Sequence, residues 1–236
     1  MNDSISTLLK FGIRLLNVTL GVLVILIMAG CIYVTRFKSS EAAIGDEQQP
    51  HHYYKIPLSG IDLQVRPYND IESFRMFTIF FAFPLYLSEK NVPIYSPKPF
   101  SVLIAFLPLK HGFSFKPSDI ALHLEGKDFK PSNISTQLVP DPGPGTEFYK
   151  REVAQGRVYC GSNKSGEYHP IANDANYVFS KVLEWYCYEI QFDVTTPDPS
   201  TEYSISLTGL LLNGAPYEIP IIPFHESRWQ KFYRFP

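Results

Sequence analysis

Residues 15–34 read LLNVTLGVLVILIMAGCIYV, twenty residues without a charge. As a helix they would be ~30 Å long, the thickness of a bilayer's hydrocarbon core. Asn17 and Thr19 are the clearly polar members, Lys10 and Arg14 precede the run, and Arg36 and Lys38 follow it. A helix this apolar on every side is rare inside a small domain. The run therefore predicts a single transmembrane anchor and divides the chain into a short tail (1–14), the anchor (15–34), a linker (35–52) and one remaining domain (53–236). Residues 35–52, TRFKSSEAAIGDEQQPHH, are polar and end in proline and histidine, as a tether would.

Within the run, Leu26-Ile27-Met28-Ala29-Gly30-Cys31 resembles the lipobox of bacterial lipoproteins. The resemblance implies cleavage after the small pair Ala29-Gly30 and a lipid on Cys31. Met28 departs from the usual leucine, and the apolar Ile32-Tyr33-Val34 suits a membrane exit better than the start of a mature lipoprotein. An uncleaved signal anchor is the preferred reading. The cations flanking the run favour a cytoplasmic N-terminus and an exported C-terminal domain, which places the chain in the inner membrane, single-pass, with its domain in the periplasm.

The rest of the chain predicts an antiparallel, β-sandwich-like domain. Its 18 Phe, 15 Tyr and 20 Pro favour strands and oppose helices. Ile61, Leu63 and Val65 alternate with Asp62, Gln64 and Arg66, Ile120, Leu122 and Leu124 with Asp119, Ala121 and His123, and Tyr203, Ile205 and Leu207 with Glu202, Ser204, Ser206 and Thr208, so one buried and one wet face are expected in each case. Residues 74–83 and 100–107 are apolar on both faces and predict covered central strands. Asn213-Gly214 predicts a hairpin with a return strand over 217–222. Phe115-Lys-Pro-Ser-Asp-Ile120 and Phe129-Lys-Pro-Ser-Asn-Ile134 echo each other and read as turns leading into strands. Residues 173–183 are the place for one short helix.

Charges of mixed sign, net −2, give no electrostatic case for nucleic acid. Three cysteines exclude a disulfide-rich scaffold. In residues 185–194 one face is core (Tyr186, Tyr188, Ile190, Phe192, Val194), which leaves Cys187 on the wetter face. A Cys160–Cys187 disulfide in an exported domain would suit that position. The six histidines, His123 on a wet strand face among them, read as ordinary surface residues, and no metal or cofactor motif occurs. Arg228, Trp229, Tyr233 and Arg234 have the composition of a binding hot spot; a terminal strand with cations guarding its edge is the stronger reading of the same stretch.

These features point to a non-enzymatic binding or interaction module on a membrane anchor in a bacterial envelope, with a protein partner. Two alternatives stand beside it: a membrane-tethered hydrolase with a loop-borne site around Glu167, His169 and Asp174, and a structural subunit of a membrane complex.

Overall fold

The computed structural model of the chain describes residues 19–21, 32–42, 44, 56–79, 83–88, 91–137 and 168–234. Almost all regular structure among them is strand. In chain order these are β1 (Ile32–Ala42), β2 (Ile56–Leu58), β3 (Ile61–Pro67), β4 (Ile71–Ile79), β5 (Phe83–Ser88), β6 (Val92–Pro93), β7 (Phe100–Pro108), β8 (Phe113–Phe115) and β9 (Ile120–Leu124). There follow β10 (Lys127–Phe129), β11 (Asn133–Gln137), β12 (Tyr168–Pro170), β13 (Tyr177–Val178), β14 (Tyr186–Phe192), β15 (Tyr203–Leu207), β16 (Leu210–Leu212), β17 (Ala215–Pro216) and β18 (Ile222–Arg234). The chain forms two compact units, a smaller one of Met1–Phe37, Glu72–Val92 and Gln230–Pro236, and a larger one of Lys38–Ile71 and Pro93–Trp229.

In the larger unit, one antiparallel sheet has the order β12-β11-β14-β7-β3-β2 and a second the order β13-β8-β16-β17. A third runs β10-β9-β15-β18-β1. The inner faces of these sheets share one core. Phe106 of β7 packs 4.6 Å from Phe115 of β8, and Phe100 of β7 meets Tyr203 of β15 edge-on at 5.6 Å. Phe100, Phe106, Phe113, Phe115 and Phe192 are fully buried, each contributing roughly 1.5–3 kcal/mol by burial. The alternating patterns at Ile61, Ile120 and Tyr203 supply this core as expected.

Strand β7 is central and covered on both sides. Phe100, Val102, Ile104 and Phe106 face the main core, while Leu103, Ala105 and Leu107 form a second cluster with Trp185 and Cys187. This corrects the reading of Cys187. It lies on the face opposite Tyr188 and Ile190, but that face is dry: Cys187 is 0 % exposed and sits in register with Ala105. The two-faced apolar pattern of β7 required a second cover, and Cys187 lies under it.

Asn213-Gly214 makes the expected hairpin turn, both residues at positive φ (51° and 80°), between β16 and β17. The return strand is only Ala215–Pro216; residues 217–221 are irregular, in keeping with Pro220. The expected helix over 173–183 is instead a turn followed by the two-residue β13 against β8.

The largest departure concerns the linker. Residues 35–42, read as a tether, belong to β1. Thr35, Ser39, Ser40 and Glu41 are buried there beside Val34 and Phe37. Polar residues buried inside a sheet leave no apolar alternation in the sequence. As a result β18, read as an edge strand, lies between β15 and β1. Of the anchor, the described helical residues are 19–21, and no helix among the described residues is long and apolar enough to cross a membrane.

In the smaller unit the strand order is β18-β1-β4-β5. β4 and β5 form an antiparallel hairpin with Phe77 opposite Leu85 and Ile79 opposite Phe83.

Candidate functional site

The most site-like group of side chains lies across three strands of the larger unit. The β9–β10 hairpin turns at Glu125 and Gly126, both at positive φ (52° and 73°). That two-residue turn sets Asp128 directly opposite His123. On the other side of β9, His123 faces Ser204 in register, and Ser206 is the diagonal neighbour. A ring as long as imidazole spans such a diagonal. His123 Nδ1 is 2.6 Å from Asp128 Oδ1, and His123 Nε2 is 3.0 Å from Ser206 Oγ. With Asp128 ionised, Nδ1 carries the proton and Nε2 accepts from the Ser206 hydroxyl. This is the order of hydrogen bonds that activates a serine nucleophile.

The surroundings differ from a dry active site. The His123 side chain is 31 % exposed and that of Asp128 72 %. Ser206 sits in the middle of a strand, on an open sheet face. Water screens charge there, so electrostatic stabilisation of a developing oxyanion is weak. Sequence reasoning placed His123 on a wet face correctly; its two partners depend on cross-strand register.

A second polar group is built in the opposite way. Asn69 is 0 % exposed. Its Nδ2 donates to Ser40 Oγ at 2.8 Å, to the Pro197 carbonyl at 3.1 Å and, more weakly, toward Tyr203 Oη at 3.5 Å. Its Oδ1 accepts from the Ser40 backbone N–H at 3.2 Å. Asn69 thereby ties β1, the 197–199 segment and β15 together. Burial pushes the phenol of Tyr203 up, against the hydrogen bonds from Ser40 and Asn69 that favour its ionised form. It stays a neutral hydroxyl and stacks on Phe224 at 4.9 Å.

Two carboxylates near this group respond in opposite senses. Burial raises Asp70 above its ordinary value, despite the opposing charge and hydrogen bond of Arg66. Asp198 is also pushed up by burial, but hydrogen bonds from Ser200 and the Lys38 ammonium outweigh it and hold the carboxyl low.

The residues singled out from sequence are dispersed. Arg228 is exposed and pairs with Glu226, and Trp229 is partly buried; both belong to the larger unit. Tyr233 and Arg234 end β18 in the smaller unit. His169 and Asp174 are exposed and share no hydrogen bond, and Glu167 lies outside the described residues. So do Cys31 and Cys160. No disulfide has both its cysteines among the described residues, although Cys187 itself is disulfide-bonded. Among the described residues no group of three His, Cys, Asp or Glu side chains is placed to hold a metal ion.

Comparison with protein-family models, with curated proteins and with solved structures finds no match for this chain.

Proposed function

We propose that this protein is a membrane-anchored interaction module of a bacterial cell envelope, with its β domain on the extracytoplasmic side and a protein partner. The observation that carries the reading is the uncharged run of residues 15–34 joined to a domain of antiparallel sheets. Two described polar groups of that domain are in keeping with it: Asn69 spends its side-chain hydrogen bonds inside the fold, and the His123 group is open to water. Because β1 begins at Ile32, the domain is held close to the end of the run rather than on a long tether. Residues 15–31 still span ~25 Å as a helix, at the short end of what crosses a bilayer.

The start of β1 also bears on Cys31. Ile32-Tyr33-Val34 serve a sheet, so their apolarity no longer counts against a lipoprotein that begins at Cys31. Under that reading Cys31 is lipidated and Cys160 is left to pair with Cys187. Fatty-acid labelling decides between the two anchors: incorporation lost in Cys31→Ala establishes the lipoprotein, and none in the unsubstituted chain establishes the spanning helix. Protease added outside intact spheroplasts is expected to digest the domain; full protection would overturn the exported orientation. Crosslinking in whole cells should trap a stoichiometric partner, and its absence across crosslinkers of several lengths would count against an interaction module.

A second reading, a hydrolase, is favoured by one observation: the Ser206–His123–Asp128 order of hydrogen bonds. In it Ser206 Oγ bonds to an acyl carbon as the bond from that carbon to the leaving group breaks, His123 takes the serine proton and gives it to the leaving group, and water, deprotonated by His123, then cleaves the acyl-serine ester and restores the hydroxyl, while Asp128 steadies the imidazolium. A fluorophosphonate probe would label Ser206, and labelling would vanish in His123→Ala. No labelling at saturating probe removes this reading.

A further inference from the structure

The turn that joins β13 to β14 in the larger unit is held firmly for a surface loop. Phe179 and Trp185, at its two ends, are buried. Between them the Lys181 N–H donates to Tyr186 Oη at 2.8 Å, and the Leu183 N–H donates to the Pro108 carbonyl at the end of β7, also at 2.8 Å. The Tyr186 ring, whose hydroxyl accepts the first of these bonds, stacks on Phe179 at 4.4 Å. Lys181 Nζ closes the turn on Glu184 Oε1 at 3.1 Å.

Two features of Leu183 work against stability. Its φ is +60°, a region where glycine and asparagine sit at ease and a larger side chain crowds the neighbouring backbone. Its side chain is also 62 % exposed, so burial does not offset the strain. Asparagine there would keep the Pro108 bond and remove both costs. Leu109, next in the chain to Pro108, is 45 % exposed beside it, and Val178, 68 % exposed, precedes the turn. A strained, exposed leucine on a rigid turn is a preformed knob. Its shape is fixed before any partner arrives, so little conformational entropy is lost on contact.

We infer that this knob is the contact between two copies of the chain, packed about a two-fold axis that passes beside Leu183. The inference rests on the interaction-module reading above and deepens it by naming the surface and the partner. The charges select a second copy. Lys181 and Glu184 lie beside the apolar centre with side chains 59 % and 31 % exposed. A two-fold axis sets each ion pair antiparallel to its mate, so every Lys181 meets the partner's Glu184 and the charges close into an alternating ring. A partner surface of one sign would be attracted by one of these residues and repelled by the other. The area says how strong the contact is. Leu109, Val178 and Leu183 offer roughly 300 Å² of aliphatic surface, well short of the ~800 Å² that each partner of a stable complex buries. Such a contact is weak between free molecules. It becomes effective where both are held on one membrane at high local concentration, as copies of one anchored chain are.

The test is sedimentation equilibrium of the full chain in density-matched detergent micelles. The unsubstituted chain is expected to dimerise, and a monomer at every concentration overturns the inference. Leu183→Asn is expected to associate at least roughly tenfold more weakly, while its urea midpoint holds or rises. A dimer kept by L183N overturns the inference, because the contact then lies elsewhere; a fallen midpoint overturns it too, because the leucine then serves the fold. Lys181→Glu and Glu184→Lys are each expected to be monomeric alone, since like charges then face each other, and to dimerise when mixed. Mixing that yields no dimer overturns the two-fold arrangement. In whole cells, benzoylphenylalanine in place of Leu109 should crosslink one copy to another. An adduct with a different protein overturns the second copy and leaves the interaction-module reading standing. No adduct here, with a partner trapped by chemical crosslinkers, overturns this surface alone; no adduct by either route overturns both.

Discussion

The Asn69 group and the Ser206–His123–Asp128 ladder are both chains of good hydrogen bonds, and they teach opposite lessons. Asn69 holds a strand, a loop carbonyl and a tyrosine from a position no water reaches. Its bonds cannot be exchanged for water, so each one lost leaves a buried group unsatisfied. His123 makes bonds as short, but on a face where water replaces any partner that leaves. The first group fixes the fold and has no freedom for chemistry; the second has freedom and adds little stability.

The widest gap between them should appear on truncation. Asn69→Ala would strand Ser40 and the Pro197 carbonyl, costing about 2–4 kcal/mol in urea unfolding. A loss below ~1 kcal/mol would mean that the group is not holding the fold. Tyr203→Phe keeps the ring stack on Phe224 and removes only the weak hydroxyl contacts with Asn69 and Ser40, so roughly 1 kcal/mol is expected from the same measurement.

The pH dependence of stability separates the two carboxylates beside Asn69. Asp70 binds its proton more tightly folded than unfolded, so its contribution is present below the unfolded value of 3.8 and is lost as pH rises through the folded value. Asp70→Asn should therefore gain on the unsubstituted chain as pH climbs from about 3 to neutral. Asp198 has the opposite sign: its contribution is present above the unfolded value and is lost as pH falls through the lower, folded value. Asp198→Asn should lose its deficit on acidification. Parallel pH profiles for the two variants would contradict both assignments.

The smallest effect belongs to the open ladder. His123→Ala and Ser206→Ala should change the unfolding free energy by no more than ~0.5 kcal/mol, as exposed polar contacts do. A loss near that of Asn69→Ala would show the ladder to be structural, and with it the hydrolase reading would lose its footing.

Much of the core could be read before any coordinates. The alternation at Ile61, Ile120 and Tyr203 and the two-faced run of β7 each named residues that are buried. Strand β1 could not be read in this way. Its serines, threonine and glutamate look like a tether, yet they are buried strand residues, and Ser40 among them is held by Asn69, which is distant in sequence. Cys187 failed for a related reason: period-two alternation names a face, and only the second layer over β7 says whether that face is wet.

By itself the sequence determined the β class, the core-facing residues of the alternating strands, the Asn213-Gly214 turn and the apolar run. Each depends on local periodicity or on a backbone preference of one or two residues. Tertiary structure alone decided that residues 35–42 are strand, that β18 is interior, and that His123 has Asp128 and Ser206 as partners. Those depend on which strands lie side by side and in what register, and register is set by contacts between residues far apart in the chain.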